Sequence, residues 1–600
     1  MKLKLSSIAI AIVIFVCILI DLDLKNWKKQ DRVIEWDIHW YYSYLPAEFI
    51  YDDITLSKSD YRFYEDYYLI WPVFTPEGKK IIKTTMGLAI LYAPFFFVAH
   101  SFAFLSDYPE NGFSEPYKIF LLLSAIFYLL IGLDYLKKTL RHLKFSDVHI
   151  SITILLIGLG TNLLAYSSQS APMPHVYNFC LFSVFIYQTI KWYESQSIKT
   201  ALILGFLIGL ISLIRPSNIL ISVFFIFYGI TSLSDLRLRF SFFIKNYPSL
   251  IVMLIILFLV WTPQFIYWKI TTGNYLYYSY NEEGFFFNSP KIIKGLFSFR
   301  KGWLTYTPMM AFALIGIYFL KGELKKLRLP IILFFILNIY VIFSWWCWWY
   351  GGTYGQRSMV DSYALMAIPF ASLIKYASEK KWYYNTLLYS IAVFFVWLNI
   401  FQTYQFELGS LHYEGMTKEL YFKQFGKLSK INDFDKYVDP PNNDEAKKGN
   451  SLGNKYTGGN VIPNNNSAET GRSGKRILLK AMNGKYVVDD RNKGSNLYAN
   501  SDNPWEWETF EIIEAGKDKI NIRSSTGKFV CADQGKANVV VANRDEAKDW
   551  ETFKIIELEN GFVVFLATNG KYLSANKESL QLFANSDSIG DQEKFLLIEK

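Results

Sequence analysis

The sequence predicts an α-helical polytopic membrane domain followed by a small all-β domain. Three observations carry that prediction. About eleven apolar segments, each near the roughly 20 residues needed to cross a bilayer, fill the first two thirds of the chain. Lys, Arg, Asp and Glu gather in the connections between them. After about residue 475 the chain turns polar, with short alternating strands and a motif that returns three times. A content of 52% hydrophobic and 18% aromatic residues is too apolar for one ordinary soluble domain. The net charge of +9 belongs mainly to the membrane half, where basic residues mark cytoplasmic loops, so nucleic acid is not an expected partner. Cys17, Cys180, Cys347 and Cys531 lie far apart and indicate neither a disulfide framework nor a metal cluster.

The first apolar run ends near Ile20, and Asp21-Leu22-Asp23 lacks a small-residue cleavage pattern, so it reads as a retained anchor running inside to outside. Residues 21–116 then form an outside juxtamembrane loop. Within it, Thr84 to Leu105 reads as a juxtamembrane or re-entrant element. As a full span it would put Lys137, Lys138, Arg141 and Lys144 outside, against the positive-inside rule. The remaining spans fall near 117–136, 148–166, 176–190, 199–214, 217–232, 249–268, 307–321, 330–345, 359–375 and 384–402. This order leaves the C-terminal third outside. The membrane domain covers 1–425, and 426–474, with Pro440-Pro441-Asn442-Asn443 and Asn464-Asn465-Asn466-Ser467, reads as a flexible polar linker.

In residues 475–600, Gly-Lys-Tyr/Phe recurs at Gly484, Gly527 and Gly570, Ala-Asn at Asn500, Asn543 and Asn585, and a closing aromatic at Phe510, Phe553 and Phe595. Three units of about 43 residues, each with four short strands, predict a β-trefoil rather than a propeller. The Trp-Glu-Thr-Phe strings at Trp507 and Trp550 resemble the fascin-like trefoil family, which implies a module binding carbohydrate or protein. The repeated glycines read as turn residues and the repeated aromatics as core, leaving unrepeated positions such as Trp505 for any ligand.

The first outside loop, Trp36-Asp37-Ile38-His39-Trp40-Tyr41-Tyr42, sets a carboxylate beside aromatic rings just past the first helix. Together with the Gly87 to His100 hairpin, Phe299-Arg300-Lys301-Gly302, Tyr306-Thr307-Pro308 and Gly351-Gly352 with Gly355-Gln356-Arg357-Ser358, it resembles the GT-C superfamily of polyprenyl-phosphate-dependent glycosyltransferases. That superfamily includes protein O-mannosyltransferases and the aminoarabinose transferase of lipid A. The resemblance spans residues 1–425 and implies inverting hexosyl or pentosyl transfer at the outer face of a bacterial cytoplasmic membrane. The donor would be a polyprenyl-phosphate sugar and the acceptor a lipid, glycan or protein. Asp37 matches the family's loop aspartate and takes the general-base role, which inverting transfer requires. The departing phosphate calls for cations, and Arg215, Arg300, Lys301 and Arg357 all fall at outside ends of spans. Tyr41, Tyr42 and His175 are expected to contact substrate. Glu282-Glu283 is read as an acceptor contact, with a divalent metal or a solvated acidic turn as alternatives. The motifs identify no cofactor other than that divalent metal. A polysaccharide ligase or polymerase would use the same donor chemistry, whereas a transporter for a glycan precursor would place ionisable groups near the midplane, where these spans are nearly free of charge.

Overall fold

The computed structural model describes the chain except residues 1–3, 31, 58–61, 65–66, 69, 71, 450–474, 491–493, 502–506, 517–518, 534, 536, 559–561 and 600. Trp505 and the Asn464–Asn466 run therefore lie outside the described residues. Two compact units divide the chain, Met1–Gly458 and Gly459–Lys600.

The first unit is helical. Its leading helices are α1 (Leu5–Leu24), α2 (Trp36–Phe49), α3 (Gly87–Phe104), α4 (Glu115–His142), α5 (Asp147–Leu159), α6 (Pro174–Ser195) and α7 (Ile198–Ile214). Between α2 and α3 lie two short hairpins, β1 (Arg62–Tyr64) with β2 (Tyr67–Tyr68), and β3 (Val73–Phe74) with β4 (Lys80–Ile81). Among the described residues, six helices are long and apolar enough to cross a membrane: Leu5–Lys28, Gly87–Phe104, Glu115–His142, Tyr247–Thr272, Gly322–Ser344 and Trp382–Glu407. This is fewer than the eleven expected. Several expected spans are short: α5 has 13 residues and α7 has 17, so at 1.5 Å per residue neither reaches about 30 Å. Thr84 to Leu105, expected to be juxtamembrane or re-entrant, holds one of the six, with a mean hydropathy of 1.7. Tyr247–Thr272 carries an unburied apolar face: Ile251, Leu254, Ile255, Phe258 and Leu259 all stand exposed along it.

Charge and hydrogen bonding tie three helix ends together. Ser6 donates from its backbone N–H and hydroxyl to Asp147 at 3.1 and 2.6 Å, and Arg141 pairs with the same carboxylate at 3.1 Å. The starts of α1 and α5 and the end of α4 are thereby joined. A close approach joins two other helix ends: a Cβ on Gly87 would lie 2.5 Å from the backbone N of Ile214. Only glycine lets the start of α3 meet the end of α7, which sets Arg215 beside the α2–α3 region.

Residues 426–449, expected to open the flexible linker, instead carry structure. Phe434–Tyr437 forms a 3₁₀ turn, Asn443–Lys447 a short helix, and Phe434 and Ala446 are each 4% exposed in the first unit's cores.

The second unit is all β. Its strands are β5 (Lys475–Ala481), β6 (Tyr486–Asp490), β7 (Asn496–Ser501), β8 (Thr509–Gly516), β9 (Lys519–Ser524), β10 (Phe529–Asp533), β11 (Val539–Arg544), β12 (Thr552–Glu557), β13 (Phe562–Ala567), β14 (Tyr572–Ala575), β15 (Leu582–Ser586) and β16 (Phe595–Glu599). Pairings β5–β8, β8–β9, β9–β12, β12–β13, β13–β16 and β16–β5 close a six-stranded antiparallel barrel. The hairpins β6–β7, β10–β11 and β14–β15 gather around β11, which touches both β7 and β15. A closed barrel with one hairpin per repeat is a trefoil-like architecture.

The repeat's residues explain it. Gly484, Gly527 and Gly570 hold φ of 81°, 82° and 76°, the left-handed region in which glycine is free of strain. Phe510, Phe553 and Phe595 are 1%, 0% and 0% exposed in one core. A glutamate two residues before the closing phenylalanine closes a turn: Glu551 accepts from the Lys548 N–H at 2.8 Å, and Glu593 from the Gly590 N–H at 2.7 Å.

Candidate functional site

Asp37 opens the first turn of α2, where a carboxylate also suits the positive end of the helix. The helix's N-cap is Glu35, which makes no side-chain capping bond, so Asp37 is not spent on capping. It accepts instead from Arg357 Nη2 at 2.6 Å. Arg357 reaches it from a 3₁₀ helix, Arg357–Ser362, that follows a turn with Gly351 and Gly355 at φ of 70° and 57°. Thus the Gly-Gly and Gly-Gln-Arg motifs form one device that delivers a guanidinium. Asp37 has 36% of its side chain open, whereas Arg357 is 14% open. Burial would raise the Asp37 carboxyl. The Arg357 charge and hydrogen bond, with smaller contributions from Lys83 and His175, outweigh it and hold the group below the usual carboxylate range.

Tyr41 is one helical turn on from Asp37 and shares its face. It is buried, and the loss of solvent pushes its phenol up to about 12, although Arg215 and Arg357 pull the other way. Arg215 lies with its guanidinium 5.6 Å from the Tyr350 ring centre and 3.4 Å from Asp361. His175, at the start of α6, pairs through Nδ1 with Asp361 at 2.8 Å. Lys83 approaches from the α2–α3 connection. That connection is pinned where the Ile82 N–H donates to Tyr267 Oη and the Met86 N–H to Gln264 Oε1, each at 2.8 Å.

The expected residues therefore divide. Asp37, Tyr41, His175, Arg215 and Arg357 converge. Glu283 joins them at the rim, paired with Lys83 at 2.5 Å and accepting from Trp346 Nε1 at 3.1 Å, while Glu282 faces solvent. Glu283 is thus an ion-pair partner of Lys83, and no group of three or more metal-binding side chains occurs among the described residues. Tyr42 does not join: it is fully buried, donates to the Gly112 carbonyl at 2.5 Å and packs edge-on against Phe96 and Phe113. Its expected substrate contact is corrected to a core role. Arg300 is likewise taken, paired with Asp439 at 2.9 Å and donating to the Glu414 carbonyl at 2.8 Å, so it anchors the end of the first unit. Lys301, its neighbour, is 1% exposed, and burial lowers its ammonium to about 7 despite Glu414 nearby. Its Nζ stands 5.7 Å from the Phe406 ring centre.

Two members were not anticipated. Lys83 gave no signal beyond a cation ahead of an apolar stretch. Asp361 had a clear one: a lone carboxylate four residues after Arg357, inside a segment read as membrane-spanning.

A family model described as a domain of unknown function, DUF7910, matches residues 519–600. No curated protein matches the chain. Among solved structures, the designed threefold-symmetric protein ThreeFoil is 16% identical, with 21% of this chain and 99% of that one covered and a TM-score of 0.20. The lectin of Polyporus squamosus bound to a human-type influenza-binding epitope is 12% identical, covering 21% and 50%, at 0.20. SeviL bound to asialo-GM1 saccharide is 17% identical, covering 21% and 98%, at 0.19. The threefold architecture of the second unit rests on its own strand pairings.

Proposed function

We propose that the chain is a membrane glycosyltransferase that moves a sugar from a polyprenyl-phosphate donor to a lipid, glycan or protein acceptor at the outer face of a bacterial cytoplasmic membrane. The observation that carries this reading is the convergence of one carboxylate, Asp37, with Arg357, Arg215 and Lys83 from separate segments of an apolar helical unit. Inverting transfer asks for that pairing of groups. A base takes the proton of the acceptor hydroxyl while cations stabilise the phosphate that leaves. In the resting arrangement Arg357 holds Asp37 ionised, which is the form a base must start in. A phosphate arriving beside Arg357 would share that guanidinium and free the carboxylate toward the acceptor.

The second unit, with its own closed core, is read as a tethered module that holds carbohydrate or protein acceptors near the site. A ligase or polymerase of surface polysaccharide is the alternative, since it would use the same donor chemistry. The deciding experiment supplies a monosaccharide-linked polyprenyl phosphate to the purified protein and measures free polyprenyl phosphate together with the mass gained by the acceptor. Release with a gain of one sugar supports a transferase. Release only from oligosaccharide donors supports the alternative, and no release from either removes this function.

A further inference from the structure

Asp361 is a buried carboxylate with four hydrogen-bonding partners, which come from two segments of the chain, the start of α6 and the Arg215–Asn218 connection after α7. His175 Nδ1 lies 2.8 Å from Oδ1. Oδ2 accepts from Asn218 Nδ2 at 2.7 Å, Asn178 Nδ2 at 3.3 Å and Arg215 Nη1 at 3.4 Å. The carboxylate is 3% exposed. Four residues earlier on the same 3₁₀ helix, Arg357 meets Asp37, so one short element supplies both the guanidinium at the base and the anion behind Arg215 and His175.

The detail of these bonds shows which way the network is directed. Asn178 turns its amide N–H toward Asp361 although its own Oδ1 is then left buried without a hydrogen-bond partner. Satisfying the carboxylate takes precedence over satisfying the asparagine. An ionised carboxylate only accepts, so His175 carries its proton on Nδ1 and keeps Nε2 as an acceptor. Arg215 is held through Nη1 alone, and a guanidinium has five N–H donors in a rigid fork, so Nη2 and Nε remain for another anion while Tyr350 stacks on its face.

We propose that Asp361 is a positioning residue. It fixes the orientation of Arg215, so that this guanidinium is ready for the phosphate of a lipid-linked donor before it arrives, and it holds His175 in the tautomer whose Nε2 accepts. A cation already tethered at one end loses less freedom when it binds, which is how groups behind a binding site raise affinity without touching the ligand. This inference rests on the donor chemistry proposed above, and its test separates the two.

The probe is a short-chain polyprenyl phosphate, bound to the purified full chain in detergent and followed by calorimetry beside a melting curve. Asp361→Asn is expected to weaken binding by about 10- to 100-fold. Arg215→Ala should weaken it comparably, and the double variant should be within about twofold of Arg215→Ala, because Asp361 acts through Arg215. A merely structural carboxylate would give multiplying losses that track the melting temperature. Multiplying losses, or unchanged binding in Asp361→Asn, overturn the proposal. If Asp361→Asn does not accumulate folded, Asp361→Glu, which keeps the charge but shifts it by a methylene, takes its place with the same expected loss and the same refuting result. No binding by the wild-type chain overturns the donor reading and this inference with it. Binding by wild type with an indifferent Asp361 variant overturns this inference alone.

Discussion

Lys301 gives a quantitative handle on the site. Its ammonium is 1% exposed, and burial brings it from an ordinary 10.5 to about 7, so near neutrality it is divided between charged and neutral forms. A folded value below the unfolded one means that the unfolded chain binds more protons between about 7 and 10.5, so the residue costs stability that is recovered as pH rises through that window. An anion bound beside Lys301 would favour the charged form, and above pH 7 that requires taking up a proton. Each pH unit then costs the bound anion up to about 1.4 kcal/mol, a factor of about ten. From pH 7 to 9 the affinity for a polyprenyl phosphate should fall by up to about 50-fold, since the phosphate itself, with a second pKa of about 6, no longer titrates there. Calorimetry at pH 8 in two buffers of different ionisation heat should show uptake approaching one proton. Lys301→Met should bind more weakly at pH 7, lose the slope, and melt higher at neutral pH because a buried ammonium has been removed. Flat affinity from pH 7 to 9 with no proton uptake in the wild-type chain would refute the phosphate contact that the sequence leads one to expect of Lys301.

Three further outcomes follow from the geometry. Arg357→Gln should raise the Asp37 carboxyl toward its ordinary range; because Asp37 is 36% open, the pair contributes only about 1–2 kcal/mol after solvent screening. Titrating Asp37 by NMR in both proteins checks this, and an unmoved carboxyl contradicts it. Phe553→Ala, at a fully buried position of the barrel core, should destabilise an isolated 475–600 domain by about 3–5 kcal/mol, and a denaturant midpoint within error of wild type would contradict it. A cysteine at Ser495 should react with an impermeant reagent from the outer side while one at Lys326 should not, and the reverse pattern would overturn the proposed topology.

Much of the site's wiring was open to inspection in the chain. Asp37 and Tyr41 stand four apart at the start of a helix, so their shared face follows from helical spacing, and the same spacing turns Tyr42 about 100° away into the core. The neighbours Arg300 and Lys301 illustrate what spacing cannot settle. Both are cations in one loop, yet Asp439, more than 130 residues later, takes Arg300 and leaves Lys301 buried among aromatic rings. Eleven spans were expected and six helices among the described residues have the length and hydropathy to cross a membrane, because apolar composition marks burial in a helical bundle as well as burial in lipid. The 13 residues of α5 satisfy the first condition only. The repeat in the second unit was legible because each unit must meet the same need: a left-handed turn at Gly484, Gly527 and Gly570, and one phenylalanine for a common core. The ordering of residues 426–449 was hidden, since a Pro- and Asn-rich stretch gives no local sign that Arg300 and a buried Ala446 will hold it down.

The most direct test of the account is release of free polyprenyl phosphate from a purified sugar-linked donor by the wild-type chain and by Asp37→Asn, each shown to be folded and to bind the polyprenyl phosphate product. The amide keeps the shape of the carboxylate and removes its capacity to take a proton, so release should fall by at least about 100-fold while binding of the product is kept. Release by Asp37→Asn within a few-fold of wild type would take Asp37 out of the chemistry and contradict the site built around it.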